Sequence, residues 1–344
     1  MKKWGFGLIG CGSIADFHFN AIQQLEQAVT VMISDRKEKR AREIAEREQA
    51  EWTTDYRELL KHEGVDIVCV TTSSGSHYEI GKQVLLAGKH LVVEKPITMA
   101  SREADELIAI AAEQGKTISV ISQRRFEPQH QAAYRALHEG HLGRLLLAEI
   151  SAPFYRTQDY YDSADWRGTL LQDGGALMNQ GIHSIDLLLW LCGKAKTVYG
   201  KTATQTHQME AEDLGLSIVE FENGAFGTIM ASTSIIPGFA PSLHLFGEKG
   251  SIKIVGTDIT HWEVPGMEQP QLAAGSGTGG GVSDPKSISY EFHKLQLADV
   301  LDALEHNRPV AISARDGRRA VRLIEAIYES ARTGSQVNLE GDEQ

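Results

Sequence analysis

The sequence predicts an α/β protein in two parts, a doubly wound parallel sheet over residues 1–123 and a domain dominated by antiparallel strands over 124–344. Three observations carry this. Through residue 122, apolar runs of strand length alternate with segments of helical spacing. The first run leads into "GCGSIA" (10–15), a glycine turn that suits a strand-to-helix junction. In the second half the pattern changes, and Asn223-Gly224 stands between two strand-like runs as a hairpin signal.

"WGFGLI" (4–9) reads as a buried strand, followed by a helix from about Ser13 to Gln24. "VTVMIS" (29–34) is the next strand and ends at Asp35. Residues 37–49 read as a solvated helix, with Glu38 and Arg42, and Glu43 and Arg47, spaced i,i+4. "VDIVCVT" (65–71) and "HLVV" (90–93) are nearly continuous apolar runs, as strands covered on both faces require. Residues 77–87 between them are helical in spacing, and a helix at 101–114 precedes the strand "KTISVIS" (116–122). Further on, 176–191 reads as one helix after paired glycines, 217–231 and 243–255 as hairpins, and 291–306 and 315–332 as closing helices. Residues 273–285 are Gly-rich and read as a mobile loop.

Composition excludes several functions. The formal net charge of −12 and the scatter of 34 Lys and Arg among 46 Asp and Glu argue against nucleic acid as a partner. No apolar run reaches the ~18 residues of a membrane span, and Gly10 and Gly12 cut the first run too short for a signal peptide. The expected location is the cytoplasm. Cys11, Cys69 and Cys192 lie far apart without a CxxC, which favours free thiols. The 13 histidines contain no HExxH and no cluster with ligand spacing, so no catalytic metal is expected.

Gly10, Gly12, Ser13, Ile14 and Ala15 match the dinucleotide fingerprint, in which glycines let the backbone approach a pyrophosphate at a helix start. Asp35 follows at the end of the second strand, where a carboxylate accepts hydrogen bonds from an adenosine ribose and repels a 2′-phosphate. NAD is therefore favoured, and Arg36, whose guanidinium can pair with that phosphate, leaves NADP open. "FYRTQDYYDSADWRG" (154–168) is unusually aromatic for a chain with 7% aromatic residues. Arg156, Tyr160, Tyr161, Trp166 and Arg167 suit a wall that stacks on a sugar ring and binds its hydroxyls or an acidic group. The tyrosines alternatively pack against a partner subunit.

"TTSSGSH" (71–77), "EKP" (94–96), "QRRF" (123–126) and "GGALMNQGIHSID" (174–186), in that order, resemble the Gfo/Idh/MocA oxidoreductases over nearly the whole chain. The resemblance implies an N-terminal Rossmann domain and a C-terminal α/β domain with a large, mostly antiparallel sheet, in a homodimer or homotetramer. It further implies a catalytic lysine at Lys95, a general acid/base at His183, and cofactor contacts at the 10–14 turn, Asp35, Thr71, Thr72, Ser74, His77, Glu94, Lys95 and Gln123. It places the 154–168 segment beside the substrate, with Trp166 and Arg167 near the nicotinamide.

The expected reaction is hydride transfer between NAD(P) and a secondary hydroxyl of a sugar, cyclitol, sugar acid or nucleotide sugar. Imidazole, with an ordinary pKa of about 6.5, suits His183 as the base, and Lys95 stabilises the developing oxyanion. Asn179 stands one turn before His183, where a common form of the family has aspartate; an amide orients a hydroxyl but adds no charge. His183 is otherwise a core histidine satisfied by Asp186 or a backbone group, and Asp186 reads as a structural residue that caps or braces this helix. Two other functions use the same residues: a closed redox cycle for elimination or epimerisation, and a non-catalytic NAD-binding sensor.

Overall fold

The protein was analysed as a computed structural model that describes residues 3–272 and 289–341. It contains two compact units. The Gly-rich stretch read as a loop, 273–285, lies outside the described residues.

The first unit holds β1 (Trp4–Ile9), α1 (Ala15–Gln23), β2 (Ala28–Ser34), α2 (Glu38–Glu48), β3 (Glu51–Thr53), α3 (Tyr56–Lys61), β4 (Ile67–Val70), α4 (His77–Leu86), β5 (His90–Val93), α5 (Ser101–Gln114) and β6 (Ile118–Val120). Its strands pair in parallel in the order β3-β2-β1-β4-β5-β6. The order reverses beside β1, which puts the ends of β1 and β4 at the switch point where open α/β sheets bind ligands. Every residue of β4, and Leu91–Val93 of β5, is buried, which is why these strands are apolar without alternation.

The second unit begins at Arg124. It carries α6 (Pro128–His138), β7 (Leu145–Pro153), α7 (Gln158–Asp162), α8 (Ile182–Cys192), β8 (Ala195–Ala203), β9 (Leu214–Phe221), β10 (Phe226–Ser232), β11 (Ser242–Gly247), β12 (Ser251–Val255) and β13 (Asp258–Glu263). After α9 (Glu291–His306), α10 (Ala314–Thr333) and β14 (Val337–Asn338) complete the described chain. The eight-stranded sheet runs β13-β12-β11-β7-β10-β9-β8-β14 and is antiparallel except where β10 lies parallel to β7. Both expected hairpins form, β9–β10 through Gly224 at φ 83° and β11–β12 across Gly247 to Gly250. One face of this sheet is covered, and α8 packs on it against β7. On the opposite face Tyr199, Leu216, Ile218 and Phe226 are exposed on three adjacent strands, and Tyr199 and Ile218 are direct cross-strand partners.

Two sequence expectations are corrected. A single cut at 123/124 assigns α9 to the second unit, whereas Ser289–Arg318 belong to the first. There Leu297, Val300 and Leu301 join Phe19 and Ile22 of α1, and Leu25 just after it, in one buried cluster. Each such side chain contributes on the order of 2 kcal/mol, enough for packing to override chain order. The second correction concerns 176–191, which is not one α-helix: Ala176–Gly181 form a π-helical turn and only Ile182 onward is α-helical. Asp186 braces α8 as expected, with its carboxylate held in a fork by Arg125 Nε at 2.8 Å and Nη2 at 2.6 Å.

Candidate active site

The turn after β1 depends on one backbone position. Gly10 has φ 96°, and a Cβ there would stand 2.7 Å from Thr72 Cγ2 and 2.9 Å from the Thr72 nitrogen. Thr71 Oγ1 donates to the Gly10 carbonyl at 2.6 Å and ties the turn to the end of β4. At Gly12 a Cβ would meet only the Thr71 oxygen, at 3.9 Å, so there is room above the turn. Ser13 is exposed and Ile14 half-buried, and the α1 N-terminus after them carries no side-chain cap. The Ala15 and Phe17 amides there are bonded to the Gly12 and Ile14 carbonyls at 3.1 Å each, so the turn itself closes this helix start.

Asp35 is half-buried and accepts the Cys11 and Lys37 amides, each at 2.8 Å. Its carboxylate is thereby fixed beside the turn, and Arg36 is exposed next to it. Burial first, and then the Asp35 charge, push the Cys11 thiol up to about 12, so this cysteine stays a protonated packing group.

Thr72 and Ser74 are half-buried on the loop after β4. His77, at the start of α4, is 1% exposed and donates through Nδ1 to the Pro96 carbonyl at 2.7 Å, so the loops after β4 and β5 are tied together. Burial holds its imidazole below the ordinary range and therefore neutral. Lys95, half-buried, follows β5 after Glu94. Gln123 is 3% exposed, and its Oε1 has no hydrogen-bond partner among the described residues. A buried acceptor of this kind is open to a donor from water or a ligand.

Glu94 is buried beneath Lys95, where its Oε1 accepts from His18 Nε2 at 2.9 Å and its Oε2 from the Lys95 amide at 3.3 Å. Burial opposes ionisation, but the His18 hydrogen bond and the nearby His293 outweigh it and hold the carboxyl well below the usual range. The ligating atoms of His18, Glu94 and His293 lie within 4.8 Å of one another, a set that sequence spacing did not reveal. Two ligands of one tetrahedral ion stand about 3.3 Å apart. The His18–Glu94 distance of 2.9 Å is that of a direct hydrogen bond, and the His293–Glu94 distance is 3.8 Å.

The second unit supplies a different surface. Of residues 173–189 only Asn179, Gln180 and His183 are more than marginally exposed. These half-buried polar side chains form the polar patch of an otherwise buried segment. The Asn179 amide donates to the buried carboxylate of Asp173. Gln180 Nε2 reaches the Tyr160 hydroxyl at 3.5 Å, so the aromatic loop is continuous with the patch. The Arg167 guanidinium lies 4.1 Å from the Tyr160 ring and 4.6 Å from the Trp166 ring, and that of Arg156 lies 5.6 Å from Tyr160. Tyr161 points the other way and is buried, with its hydroxyl on Thr233 at 2.8 Å. The buried His207–Asp213 pair holds the Arg156 carbonyl through His207 Nε2 at 2.8 Å.

Glu212 shapes the π-helical turn. Its Oε1 accepts the Leu177 amide at 2.8 Å and the Tyr328 hydroxyl at 3.1 Å. A Cβ on Gly175 would lie 2.0 Å from its Oε2, so only glycine fits there. Asp173, Glu212, His18 and His293 were all absent from the residues the sequence singled out. Single polar residues in loops and helices carry no spacing signal, and only the fold shows what they meet.

Known proteins share this architecture. Residues 4–122 match the family described as "Oxidoreductase family, NAD-binding Rossmann fold" (GFO_IDH_MocA), and residues 130–253 match the "GFO/IDH/MocA C-terminal domain". The solved WlbA dehydrogenase from Bordetella pertussis, in complex with NADH and UDP-GlcNAcA, is 30% identical with a TM-score of 0.88, covering 98% of this chain and 99% of that one. The uncharacterized oxidoreductase YrbE of Bacillus subtilis (strain 168) is 27% identical over 98% of this chain and 97% of its own. The scyllo-inositol 2-dehydrogenase (NADP(+)) IolW of the same organism is 27% identical over 98% of this chain and 94% of its own.

Burial raises the Glu212 carboxyl from 4.5 to about 7, against the hydrogen bonds that favour its ionised form. A raised folded-state pKa means that the stability linked to this group is fully present below 4.5 and is lost as pH rises through about 7. Glu212→Gln is expected to flatten the fall in melting temperature between about pH 5 and 8. A variant that loses melting temperature as steeply as the parent over that interval would exclude Glu212 as its source.

Proposed function

Because this chain belongs to the GFO/IDH/MocA oxidoreductases, NAD-dependent enzymes that act on hydroxyl groups, we propose that its substrate is a sugar bearing both a secondary hydroxyl and an anionic group, as a sugar acid or a nucleotide sugar does. One observation carries this reading: Arg156 and Arg167 both lie against Tyr160, which is joined through Gln180 to the patch of Asn179 and His183. Two guanidinium groups beside one ring suit a carboxylate or phosphate next to a stacked sugar, and a neutral cyclitol has no use for both. The complex of the related WlbA dehydrogenase with UDP-GlcNAcA supports the same substrate class.

NAD, when bound, takes up or gives back the hydride. The turn at Gly10 and Gly12 and the α1 N-terminus receive the pyrophosphate, and Asp35 receives the ribose hydroxyls. The fixed carboxylate of Asp35 disfavours a 2′-phosphate, although exposed Arg36 beside it keeps NADP usable. Thr72 and Ser74 line the same strand-end loop, and Gln123 offers its carbonyl oxygen to the carboxamide of the nicotinamide. His183 is the group that exchanges a hydroxyl proton, and Lys95 is the donor that stabilises a developing oxyanion. Asn179 orients a donor beside His183, and Trp166 forms a wall for the sugar.

The sheet face with Tyr199, Leu216, Ile218 and Phe226 is covered by a second copy of this chain, because a contiguous apolar face on adjacent strands is costly to leave in water. Among the described residues, no helix is long and apolar enough to cross a membrane.

Formation of NADH with a panel of sugar acids, nucleotide sugars, aldoses and inositols tests the reading. Turnover confined to neutral cyclitols would defeat the anionic-substrate proposal. Lys95→Ala and His183→Ala are each expected to lower kcat by about 10²–10⁴-fold while NAD affinity is retained. Wild-type rates in both would remove them from the mechanism. Arg167→Ala should raise KM for an acidic sugar by about 10-fold or more and leave its neutral amide nearly unaffected, whereas equal effects on both would assign Arg167 to packing. Light scattering should find a dimer or tetramer, and Leu216→Glu with Ile218→Glu should shift it to monomer; a wild-type monomer would reject the interface.

A further inference from the structure

Asp173 joins the two parts of the polar patch. It is 1% exposed, and Gly168, the residue after Arg167, donates its amide to Asp173 Oδ2 at 2.8 Å. Asp173 Oδ1 accepts the side-chain amide of Asn179. An ionised carboxylate only accepts, so the atom of Asn179 that meets it is Nδ2. The amide is planar, with its two polar atoms on opposite sides, and Oδ1 is therefore the end directed away from Asp173.

We propose that Asp173 is a positioning residue for the reaction: it fixes the sense of the Asn179 amide, so that Asn179 presents an acceptor oxygen, and not an NH2 group, to the patch it shares with His183. This rests on the reading of that patch as the reaction site given above. Asn179 is restricted to partners that donate, a sugar hydroxyl or an imidazole N–H. Without the carboxylate the amide can turn over, and half its orientations set a donor against the donor it has to receive. The charge-assisted bond makes that reversal unfavourable. Asp173 also anchors the backbone at Gly168, so the same side chain that orients Asn179 holds the chain directly after Arg167.

The test is an exchange of the two side chains. Asp173→Asn leaves two amides that can pair in either sense, and kcat/KM for the sugar should fall by about 10–100-fold, with KM for NAD unchanged. Asn179→Asp sets two carboxylates in contact, and the loss should be larger, about 100–1000-fold. In the Asp173→Asn, Asn179→Asp double variant the bond is remade with donor and acceptor exchanged, and residue 179 still turns an acceptor oxygen to the patch. Its kcat/KM should return to within about 10-fold of wild type, better than either single variant.

A folded double variant no more active than the worse single one, or an Asp173→Asn enzyme with wild-type kcat and KM, would overturn the proposal. Melting temperatures of all four proteins separate folding from positioning: a merely structural role predicts that activity follows stability, whereas positioning predicts a loss of kcat/KM in variants that melt normally. A wild type that turns over no sugar in the panel overturns the assigned function. An active wild type without rescue by the exchange overturns only the role of Asp173.

Discussion

A carboxylate removed from water has to be met by donors, and this chain meets its buried carboxylates with backbone amides of its turns and with side chains of its helices. Glu94 is met by His18 and the Lys95 amide, Asp173 by the Gly168 amide and Asn179, Asp186 by the fork of Arg125. Glu212 is met by the Leu177 amide and Tyr328, and Asp213 by the Gln205, Thr206 and His207 amides. Loss of one partner from such a bonded buried charge costs about 3–5 kcal/mol, several times the value of an exposed ion pair. The loops that carry Lys95, Asn179 and Arg156 are held by these contacts more firmly than loops held by turn residues alone.

The two units handle their ligands by different means. In the first, the proposed NAD cradle is mainly backbone: a glycine at positive φ, a second glycine that leaves room, and an uncapped helix start. Asp35 and Gln123 add side-chain polarity, one already fixed by two amides and one with an acceptor left over. In the second, the proposed substrate surface is made of side chains: half-buried Arg167, with buried Arg156 behind the same Tyr160 ring, and three polar residues on a buried segment. A cofactor shared by a whole family suits a backbone cradle, and a substrate that differs among members suits side chains that can be exchanged.

Much of the first unit was legible because β4 and β5 are buried on both faces and so appear as unbroken apolar runs. The hairpin at Asn223-Gly224 was legible for a local reason, a turn that needs a glycine at positive φ. The place of α9 was not, since helical spacing shows that one face is apolar and not what that face packs on. The π-helical turn at Ala176–Gly181 was also hidden, because the contact that shapes it is Glu212, distant in sequence. The candidate residues of the 154–168 loop were legible as a composition, whereas the division between Tyr160 on the open side and Tyr161 in the core appears only in the fold.

The segment 173–189 leaves almost no residue without a task, since each is either in the core or in the polar patch. Such a segment has few neutral positions, and random substitution there damages either folding or reaction. The 154–168 loop is looser in this respect, with several exposed positions between its anchors at Arg156 and Gly168. Under the proposed function, changes of substrate can therefore accumulate in the loop while the segment that follows it stays fixed, which would give this scaffold a conservative chemical step and an adaptable specificity on one short stretch of chain.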